Sequence, residues 1–547
     1  MKVQFIQLVI GLIMLCSCSA SKEEKQSSQK RPNILFIMSD DHAYQAISAY
    51  GSELLQTPNI DRLANEGMLF TNASVTNSIC APSRATILTG KHTHINGKID
   101  NLMPFDNTQM TFPQIFQHNG YQTAMYGKLH FGNNPKGVDD FMILPGQGYY
   151  LNPDFNTSNG DTTIMGYVTD VITDLTLNWL KEKRDPEKPF MMMYMHKAPH
   201  RPWWPRADKF AAFTKKQFPE PASLFDDYQN RGTAANTAEM NLLTHMMYSH
   251  DSKIRPELLE KMGDKVSPKV EEFDKGFYGP YGRATARQKS LYDPILDSIN
   301  SWFEQNWPLL SEEEKMKWKY QRYMQDYLGC ISSVDDNVGR VLDYLEESGL
   351  AENTIVVYTS DQGFYLGEHG WFDKRFIYDE SFKTPLIVRW PGKVEAGSLE
   401  NEMVQNLDFA QTLLSAAGIQ PPADMQGESL LPLLTGEIEK WDRDAVYYHY
   451  YEYPSVHMVK RHYGIVTKEY KLVHFYYDVD EWELYDRLND PQEMNNVIDD
   501  PAFSEVVDEL KTKLTELRVK YKDSPELDSL FIEKYKTMQI EKGNDFW

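Results

Sequence analysis

Four continuous apolar runs most constrain the fold of this chain, because each is followed at once by ionisable or metal-binding side chains. The runs cover residues 33–38, 123–126, 190–195 and 354–359. An uninterrupted apolar run of this length is typical of a strand that is buried on both faces of a parallel sheet. Helical patterns, such as the one over residues 58–67, separate the runs. This alternation predicts an α/β fold with a large, mostly parallel sheet flanked by helices.

The side chains that follow these runs are expected to meet at one edge of the sheet. Ligands of open α/β sheets bind beyond the carboxyl ends of the strands, so groups that follow parallel strands converge in one crevice. Taken singly, each group has an ordinary alternative as a helix cap, a turn residue or a loop residue. Taken together, they predict a functional site. The groups are Asp40 and Asp41 after the first run, Lys128 and His130 after the second, His200 after the third, and Asp361 and Gln362 after the fourth.

The acidic members of this set have the chemistry of a metal site. Asp40, Asp41 and Asp361 offer carboxylate oxygens, and Gln362 offers an amide oxygen. Oxygen ligands of this kind are preferred by Ca²⁺ and Mg²⁺. The set is poor in histidine and cysteine, which argues against zinc. The sequence therefore predicts a calcium or magnesium site.

Cys80 has unusual surroundings for one of only four cysteines in the chain. It lies within N-S-I-C-A-P-S-R-A-T-I-L-T-G, residues 77–90, between a polar loop and a helical pattern that ends at Gly90. A structural cysteine usually lies among apolar neighbours, whereas a reactive one lies near positive charge or at a helix N-terminus. We therefore predict that Cys80 is reactive and begins a helix. Cys330 lies in a helical pattern of valines and leucines, which predicts a core residue.

Composition and length limit the class of protein. The 547 residues suffice for one large and one smaller part. The net charge of −23, without a basic patch, argues against nucleic acid as a partner. We place a catalytic domain at residues 31–436, and within it the stretch from 201 to about 320, which carries no readable motif, is predicted to be an insertion around the cleft.

The remaining residues, 437–547, are predicted to form a C-terminal subdomain. Alternating patterns over residues 445–451, 463–466 and 471–475 predict a small antiparallel sheet. A helix near residues 503–517 would pack on this sheet.

The N-terminus reads as an export signal. Its apolar run, residues 5–15, is shorter than the ~20 residues that a bilayer-spanning helix needs. The run ends in L-C-S-C, which resembles a bacterial lipobox with Cys18 as the lipidated residue, and residues 19–30 form a polar tether. An ordinary secretory signal is the alternative. We expect residues 1–18 to be a lipoprotein signal peptide, and the protein to lie in the bacterial periplasm or at the cell surface, touching the membrane only through its lipid anchor.

A specific signature surrounds Cys80, namely Cys80-Ala-Pro-Ser-Arg84 followed by Leu88-Thr-Gly90. Other motifs follow in order over nearly the whole mature chain, including R-P-N-I-L-F-I-M-S-D-D, T-P-N-I-D-R-L-A-N-E-G, G-K-L-H-F-G, A-P-H-R-P, Y-T-S-D-Q-G and E-L-Y-D-R-L-N-D-P-Q-E. Together they resemble the formylglycine-dependent sulfatases, above all bacterial glycan sulfatases such as N-acetylglucosamine-6-sulfatases. The resemblance implies an alkaline-phosphatase-like α/β sandwich with a smaller C-terminal antiparallel-sheet subdomain that carries a helix.

By this resemblance, Cys80 is the precursor of the nucleophile. A formylglycine-generating maturation enzyme would oxidise it to formylglycine (3-oxoalanine), whose hydrated aldehyde offers a hydroxyl to the sulfur of a sulfate ester. One Ca²⁺ per chain would be held by Asp40, Asp41, Asp361 and Gln362, and the modified Cys80 would also contact it. Gln362 departs from the Asn or His that is frequent at that position.

The resemblance also assigns roles to the cations and histidines. Arg84 would hold the formylglycine hydroxyls, and Lys128 and Lys374 would contact the sulfate oxygens. His130 would assist proton loss from the diol, and His200 would protonate the leaving sugar oxygen, although the two histidine roles could be exchanged.

The expected substrate is a sulfated sugar of glycosaminoglycans, such as heparin, or of mucins. The motif over residues 195–203 favours N-acetylglucosamine-6-sulfate by resemblance, and an acidic protein repels long polysulfated chains, which favours an exo-acting enzyme. Asp379, His457 and His474 are candidates for binding the ring hydroxyls. The alternatives are a sulfatase for another sugar, such as a uronate 2-sulfate, a phosphate or phosphonate monoester hydrolase of the same superfamily, and a lipoprotein that only captures sulfated glycans.

Overall fold

The computed structural model describes residues 30–542 except 274 and 439, so the predicted signal peptide and most of the predicted tether, including Cys18, lie outside the described residues. The strands are β1 (Asn33–Ser39), β2 (Met68–Phe70), β3 (Ala73–Ser74), β4 (Gln122–Lys128), β5 (Asp140–Leu144), β6 (Asp154–Thr157), β7 (Gly160–Thr163), β8 (Phe190–Met195), β9 (Thr354–Ser360), β10 (Leu386–Arg389), β11 (Ser398–Glu400), β12 (Val404–Gln405), β13 (Ala445–Tyr450), β14 (His462–Thr467), β15 (Tyr470–Phe475) and β16 (Glu481–Asp486).

The helices alternate with the strands through the first part of the chain and are concentrated between β8 and β9 and at the C-terminus. They are α1 (Pro58–Asn65), α2 (Cys80–Thr89), α3 (Thr93–Asn96), α4 (Phe112–His118), α5 (Val168–Asn178), α6 (Ala207–Phe213), α7 (Thr233–Thr237), α8 (Pro256–Met262), α9 (Lys275–Arg283), α10 (Ala286–Asn306), α11 (Glu312–Glu347), α12 (Asp379–Phe382), α13 (Phe409–Ala416), α14 (Leu431–Thr435), α15 (Ser504–Tyr521) and α16 (Pro525–Lys542).

The four predicted strands lie side by side in the centre of the large sheet. Over the described residues this sheet has ten strands in the order β11-β2-β10-β9-β1-β8-β4-β5-β6-β7. Strand β1 pairs in parallel with both β9 and β8, and β8 pairs in parallel with β4. Strand β10 runs antiparallel to β9, so the sheet is mixed toward that edge. The prediction of a mostly parallel sheet flanked by helices is confirmed.

The central strands are apolar throughout because helices cover both faces of the sheet. In β1, Leu35 and Ile37 face a core that includes residues of α5 and α11. The alternate residues Phe36 and Met38 face a second core, which includes residues of α2, α4 and α13. The two cores explain why the run lacks the polar alternation of a half-exposed strand.

The C-terminal residues form a separate antiparallel sheet, as predicted. Its order is β13-β14-β15-β16 over the described residues. Helix α15 packs on this sheet through Leu510 and Leu514, which share a core with Ile465 and Leu472. The fourth strand, β16, was not predicted, since half of its residues are acidic and its alternation is therefore weak.

The region between β8 and β9 contains the predicted insertion and the longest described helix. The insertion folds into α6 to α10 around buried indole rings, among them Trp204 and Trp307. Helix α11 then runs for 36 residues and buries Cys330 completely, which confirms the predicted core position of this cysteine. In the part of the chain that the structure describes, we find no helix with the length and apolar character of a membrane span.

Candidate active site

The ends of β1, β9 and β4 bring the predicted acidic groups and Lys128 together. Asp40 and Asp41 follow β1, and the Asp41 backbone N–H donates to Oδ1 of Asp361, which follows β9, over 3.0 Å. Lys128, the last residue of β4, donates to the Asp40 carboxylate. Asp41 has a left-handed backbone, with φ of 65°. Sparsely populated conformations of this kind concentrate at functional sites, where the surroundings hold them.

Helix α2 supplies Cys80 and Arg84 to the same place. The helix begins at Cys80 after an extended Ile79 and ends at Gly90, whose φ of 62° suits a glycine cap. Arg84 lies one turn after Cys80, and its Nε donates to Asp361 Oδ2 over 2.9 Å. Its NH2 atom lies 3.3 Å from Asp40 Oδ1. The predicted helix start at Cys80 is therefore confirmed.

Lys374 reaches the cluster from the loop that follows β9. Its Nζ lies 2.7 Å from both carboxylate oxygens of Asp41. Gln362 donates from Nε2 to Asp41 and approaches Cys80 Sγ at 3.8 Å. We call this group the Cys80 cluster, and its members are Asp40, Asp41, Cys80, Arg84, Lys128, His200, Asp361, Gln362 and Lys374.

The two predicted histidines differ in how firmly the structure holds them. His200 Nδ1 lies 2.5 Å from the Arg201 carbonyl oxygen, so Nδ1 carries a hydrogen, and Nε2 lies 3.7 Å from Asp41 Oδ2. His130 has a left-handed backbone, and its buried Nδ1 has no hydrogen-bond partner among the described residues. Burial, and next the Lys128 ammonium, lowers the pKa of both imidazoles well below the usual range. Both rings are therefore neutral unless an anion binds beside them.

The carboxylates of the cluster experience opposing effects. Burial alone would raise the pKa of Asp40, but the nearby cations, first Lys128 and then Arg84, hold it well below its usual range. Burial raises the pKa of Asp41 against the effect of Lys374. It also raises the pKa of Asp361 against Arg84. Three carboxylates crowded in this way are stabilised in their charged form by cations.

The unmodified Cys80 thiol is not activated by its position at the start of α2. Cys80 is fully buried, and burial raises the pKa of its thiol well above the usual range, although Lys128 and Lys374 oppose the shift. A helix N-terminus and two ammonium groups do not compensate for the loss of water around a thiolate. The unmodified thiol is therefore a poor nucleophile.

The cluster fits a hard divalent cation. Donor atoms of Asp40, Asp41, Cys80 and His200 all lie within 4.8 Å of one another. Asp40 Oδ1 and Gln362 Oε1 are buried and accept no hydrogen bond within the described parts of the chain. A half-turn of the Gln362 amide would exchange its nitrogen for its oxygen beside Asp41. Unsatisfied buried oxygens are costly, and a bound cation would remove that cost.

Only one of the three predicted sugar-binding residues lies beside the Cys80 cluster. His457 Nε2 is 3.5 Å from Asp373 Oδ2, next to Lys374, and His457 lines a cavity of about 480 Å³ together with Arg201. Asp379 instead forms ion pairs with Lys471, Lys383 and Arg487, and His474 stacks on Trp482. Among the described contacts, neither Asp379 nor His474 touches the Cys80 cluster, and their substrate-binding role stays a prediction.

Three residues that the sequence did not suggest connect the cluster to the C-terminal subdomain. Glu452, just after β13, pairs with Arg375 NH1 at 2.7 Å and accepts a hydrogen bond from the Asn101 backbone N–H at 2.7 Å. Asn101 Oδ1 in turn accepts from the Ala81 N–H at 3.1 Å. These contacts join segments far apart in the chain, so no local pattern could have predicted them.

Comparison with known proteins identifies the family. The sulfatase family pattern matches residues 32–419, and the pattern described as "N-sulphoglucosamine sulphohydrolase, C-terminal" matches residues 367–520. An N-acetylglucosamine-6-O-sulfatase of Bacteroides thetaiotaomicron is 46% identical over 525 residues, which cover 94% of this chain and 91% of that protein. The chain belongs to the sulfatase family.

Solved structures of sulfatases and related enzymes share the fold. The structure of BT4656 in complex with its substrate D-glucosamine-2-N,6-O-disulfate is 46% identical in sequence and matches with a TM-score of 0.85, covering 91% of this chain and 99% of that chain. The phosphonate monoester hydrolase SpPMH from Silicibacter pomeroyi matches with a TM-score of 0.63 at 20% identity, covering 90% and 96% of the two chains, and this likeness shows the fold alone. Membership of the sulfatase family implies use of formylglycine and a metal ion, and Cys80 and the acidic groups beside it occupy suitable positions.

Proposed function

We propose that this protein is an exo-acting sulfatase that hydrolyses the 6-O-sulfate of terminal N-acetylglucosamine in glycosaminoglycan or mucin chains. The observation that carries the proposal is the 46% identity to an N-acetylglucosamine-6-O-sulfatase over 94% of this chain. The related structure that binds a 6-O-sulfated glucosamine supports the same class of substrate. The complete Cys80 cluster supports catalysis rather than sugar binding alone.

Calcium is the proposed metal, because carboxylate and amide oxygens dominate the site. Asp40, Asp41, Asp361 and Gln362 would hold it, beside the residue derived from Cys80. Calcium would supply fixed positive charge, and formylglycine at position 80 would supply a hydroxyl nucleophile. The side chains of the protein would supply the remaining chemistry.

The lysines and histidines are placed to act on a sulfate ester. Lys128 and Lys374 lie on the carboxylates of Asp40 and Asp41, so their ammonium groups border the space beside the cation where sulfate oxygens would lie. Preorganised cations stabilise the charge that develops on those oxygens as the ester bond breaks. His200 presents Nε2 to the cluster and would protonate the leaving sugar oxygen, because a bound sulfate anion raises the pKa of a neighbouring imidazole. His130 would then accept the proton of the remaining formylglycine hydroxyl, so that the aldehyde reforms as sulfate leaves.

The depth of the site favours a chain end over the interior of a polymer. Cys80, Asp40 and Asp41 are completely buried, so only a group that projects from its sugar could reach them. The cavity of about 480 Å³ is lined by Arg201, which follows His200 in the chain, and by His457, which contacts Asp373 next to Lys374. A volume of this size falls within the range of about 300 to 1,000 Å³ that is typical of small-ligand sites, and suits one terminal sugar residue.

The proposal is tested by kcat/KM on a matched panel of sulfated mono- and disaccharides, together with a phosphate ester of the same alcohol. We expect the highest value for N-acetylglucosamine-6-sulfate, lower values for 4-O-sulfated sugars and 2-O-sulfated uronic acids, and little hydrolysis of the phosphate. Preference for a uronate 2-sulfate would contradict the proposed substrate and leave the sulfatase chemistry standing. Preference for the phosphate would contradict both.

We also propose that a formylglycine-generating enzyme matures Cys80 and that Cys18 carries a lipid anchor on the bacterial periplasmic or outer surface. A peptide mass spectrum across residues 77–90 distinguishes formylglycine from cysteine. Radiolabelled fatty acid incorporated into the wild type but not into Cys18→Ala would support the anchor. Release of both proteins in soluble, unlabelled form would contradict it.

A further inference from the structure

Glu452 connects the C-terminal subdomain to two loops of the catalytic domain. Its side chain is 3% exposed, and each of its carboxylate oxygens contacts a different loop. Oε1 accepts from Arg375 at 2.7 Å, and Oε2 accepts from the Asn101 backbone N–H at 2.7 Å. A buried carboxylate with two charge-assisted bonds is held rigidly, because leaving either partner unpaired is costly.

The first loop carries Lys374 in a strained backbone. Its neighbours Asp373 and Arg375 are both left-handed, with φ of 77° and 93°. Conformations of this kind persist only where surrounding contacts fix them. Arg375 Nε donates to Asp373 at 3.0 Å, and the Arg375 carbonyl oxygen accepts from the Tyr448 hydroxyl of β13 at 2.5 Å. Glu452 and Tyr448 therefore hold this loop from the C-terminal subdomain.

The second loop caps the helix that begins at Cys80. Asn101 Oδ1 accepts from the backbone N–H of Ala81 at 3.1 Å, while its own N–H binds Glu452. Tyr448 holds the residues just before the same helix, since its hydroxyl accepts a hydrogen bond from the Ser78 N–H at 3.2 Å. The start of α2 is thus fixed by the same strand and loop that fix Lys374.

We propose that Glu452 is a positioning residue, which sets the place of Lys374 relative to residue 80 and thereby the rate of sulfate transfer. Glu452 touches neither Asp41 nor Cys80 in the described contacts, so its effect passes through Arg375 and Asn101. The proposal rests on the proposed sulfatase function. The C-terminal subdomain would then position a catalytic group as well as line the sugar pocket.

The test compares steady-state kinetics and crystal structures of the wild type and Glu452→Gln. The variant keeps the shape of the side chain but replaces one of its two acceptor oxygens with an NH2 group, so either Arg375 or the Asn101 N–H loses its acceptor. Misplacement of a catalytic group by about 1 Å can cost on the order of 100-fold in rate, so we expect kcat to fall by about 10- to 100-fold with little change in KM. In the structure of the variant, we expect Arg375 to leave its left-handed conformation and the distance from Lys374 Nζ to Asp41 to lengthen.

The control is Asp528→Asn, which breaks an ion pair of equal length, 2.7 Å to Arg518, in the C-terminal helices. Its carboxylate is also buried, at 6% exposure. A merely structural role for Glu452 predicts that both variants lose stability and neither loses kcat. Formylglycine content is measured in each preparation, so that incomplete maturation is not mistaken for slow turnover. If Glu452→Gln does not fold, Arg375→Lys replaces it, because lysine cannot contact Asp373 and Glu452 together.

The outcomes separate this inference from the proposed substrate. A wild type that is inactive on N-acetylglucosamine-6-sulfate refutes the proposed function, and the movement of Lys374 in the variant structure still tests the positioning role. Unchanged kcat in Glu452→Gln with full formylglycine content overturns the positioning role. An equal loss of kcat in Asp528→Asn overturns it as well.

Discussion

Two buried clusters in the described part of this protein have donor atoms spaced for a metal ion, and their contacts differ. In the cluster of His449, Asp523 and Asp528, the two ring nitrogens of His449 contact Asp523 at 2.8 Å and the Tyr476 hydroxyl at 2.7 Å. Arg518 neutralises Asp528. Among the nitrogen and oxygen atoms of the described His449, Asp523 and Asp528 side chains, only Asp528 Oδ1 lacks a hydrogen bond.

The Cys80 cluster has the opposite character. It combines three carboxylates with Arg84, Lys128 and Lys374, and it leaves several buried polar atoms without partners among the described residues. Because both clusters have suitable ligand spacing, spacing alone does not distinguish a metal site from a structural group of ion pairs and hydrogen bonds. A functional site is the place where polar atoms are buried, charged and left for a ligand to satisfy.

The largest expected difference between the two regions concerns the buried cysteines. Cys80 and Cys330 are both completely buried. We expect Cys80→Ala to reduce turnover of a sulfate ester to background with little loss of stability, because the nucleophile precursor is gone while the helix remains. Cys330→Ala should lower the melting temperature and leave kcat unchanged. Substantial activity in matured Cys80→Ala would contradict the assigned nucleophile.

Removal of metal should affect the Cys80 cluster and spare the His449 cluster. We expect chelation to abolish activity and Ca²⁺ to restore it better than Zn²⁺, since the ligands are oxygens. At a Ca²⁺ concentration 100 times Kd, binding should stabilise the folded state by about 2.7 kcal/mol. Asp41→Asn should weaken this stabilisation, whereas Asp523→Asn should preserve it. Full activity in exhaustively metal-free protein would refute the metal site.

Two buried lysines, one in the Cys80 cluster and one outside it, should differ in their effect on kcat. Lys374 binds Asp41, while Lys471 binds Asp379 at 2.8 Å in a separate ion-pair group. We expect Lys374→Ala to lower kcat on the order of 100-fold, as for loss of one preorganised donor at a developing charge. Lys471→Met should reduce thermal stability and leave kcat within a few-fold of the wild type. A similarly small change in Lys374→Ala would mean that Lys374 does not stabilise the transition state.

The smallest expected effect is a dependence of stability on pH from the C-terminal sheet. Burial lowers the pKa of His462 on β14 to about 3. Between pH 6.5 and 3 the unfolded state then binds one more proton, so stability falls by about 1.4 kcal/mol for each pH unit, or about 2 kcal/mol by pH 5. In denaturant unfolding, the difference in stability between pH 7 and 5 should be smaller in His462→Gln than in the wild type by about this amount, while other buried histidines such as His42 and His196 keep their contributions. The exposed His118→Gln serves as the control and should retain the difference of the wild type.

The sequence allowed prediction of those parts of the site that follow buried strands. Asp40, Lys128 and Asp361 come directly after or at the end of apolar runs, and the rule that parallel strands end at one edge brought them together. Helix α2 was predicted from its local pattern. Lys374, in contrast, was found only through family resemblance, because it lies in an irregular loop.

The features that were missed depend on contacts between distant segments. Glu452 reaches Arg375 across 77 residues of sequence, and Asn101 across 351. No pattern in the sequence indicated that Cys80 is completely buried, and this burial raises the pKa of its thiol. Burial and long-range pairing are properties of the packed fold, and a one-dimensional pattern expresses neither.

The direction of β1 determines how the enzyme would face a surface. The strand enters the large sheet at Asn33 and delivers Asp40 at its other end, a rise of about 20 Å. Asn33 therefore lies at the edge of the sheet opposite Asp40 and Asp41. The anchor proposed at Cys18 would join the described part of the protein at that edge, one strand length away from the residues that would act on the sulfate ester.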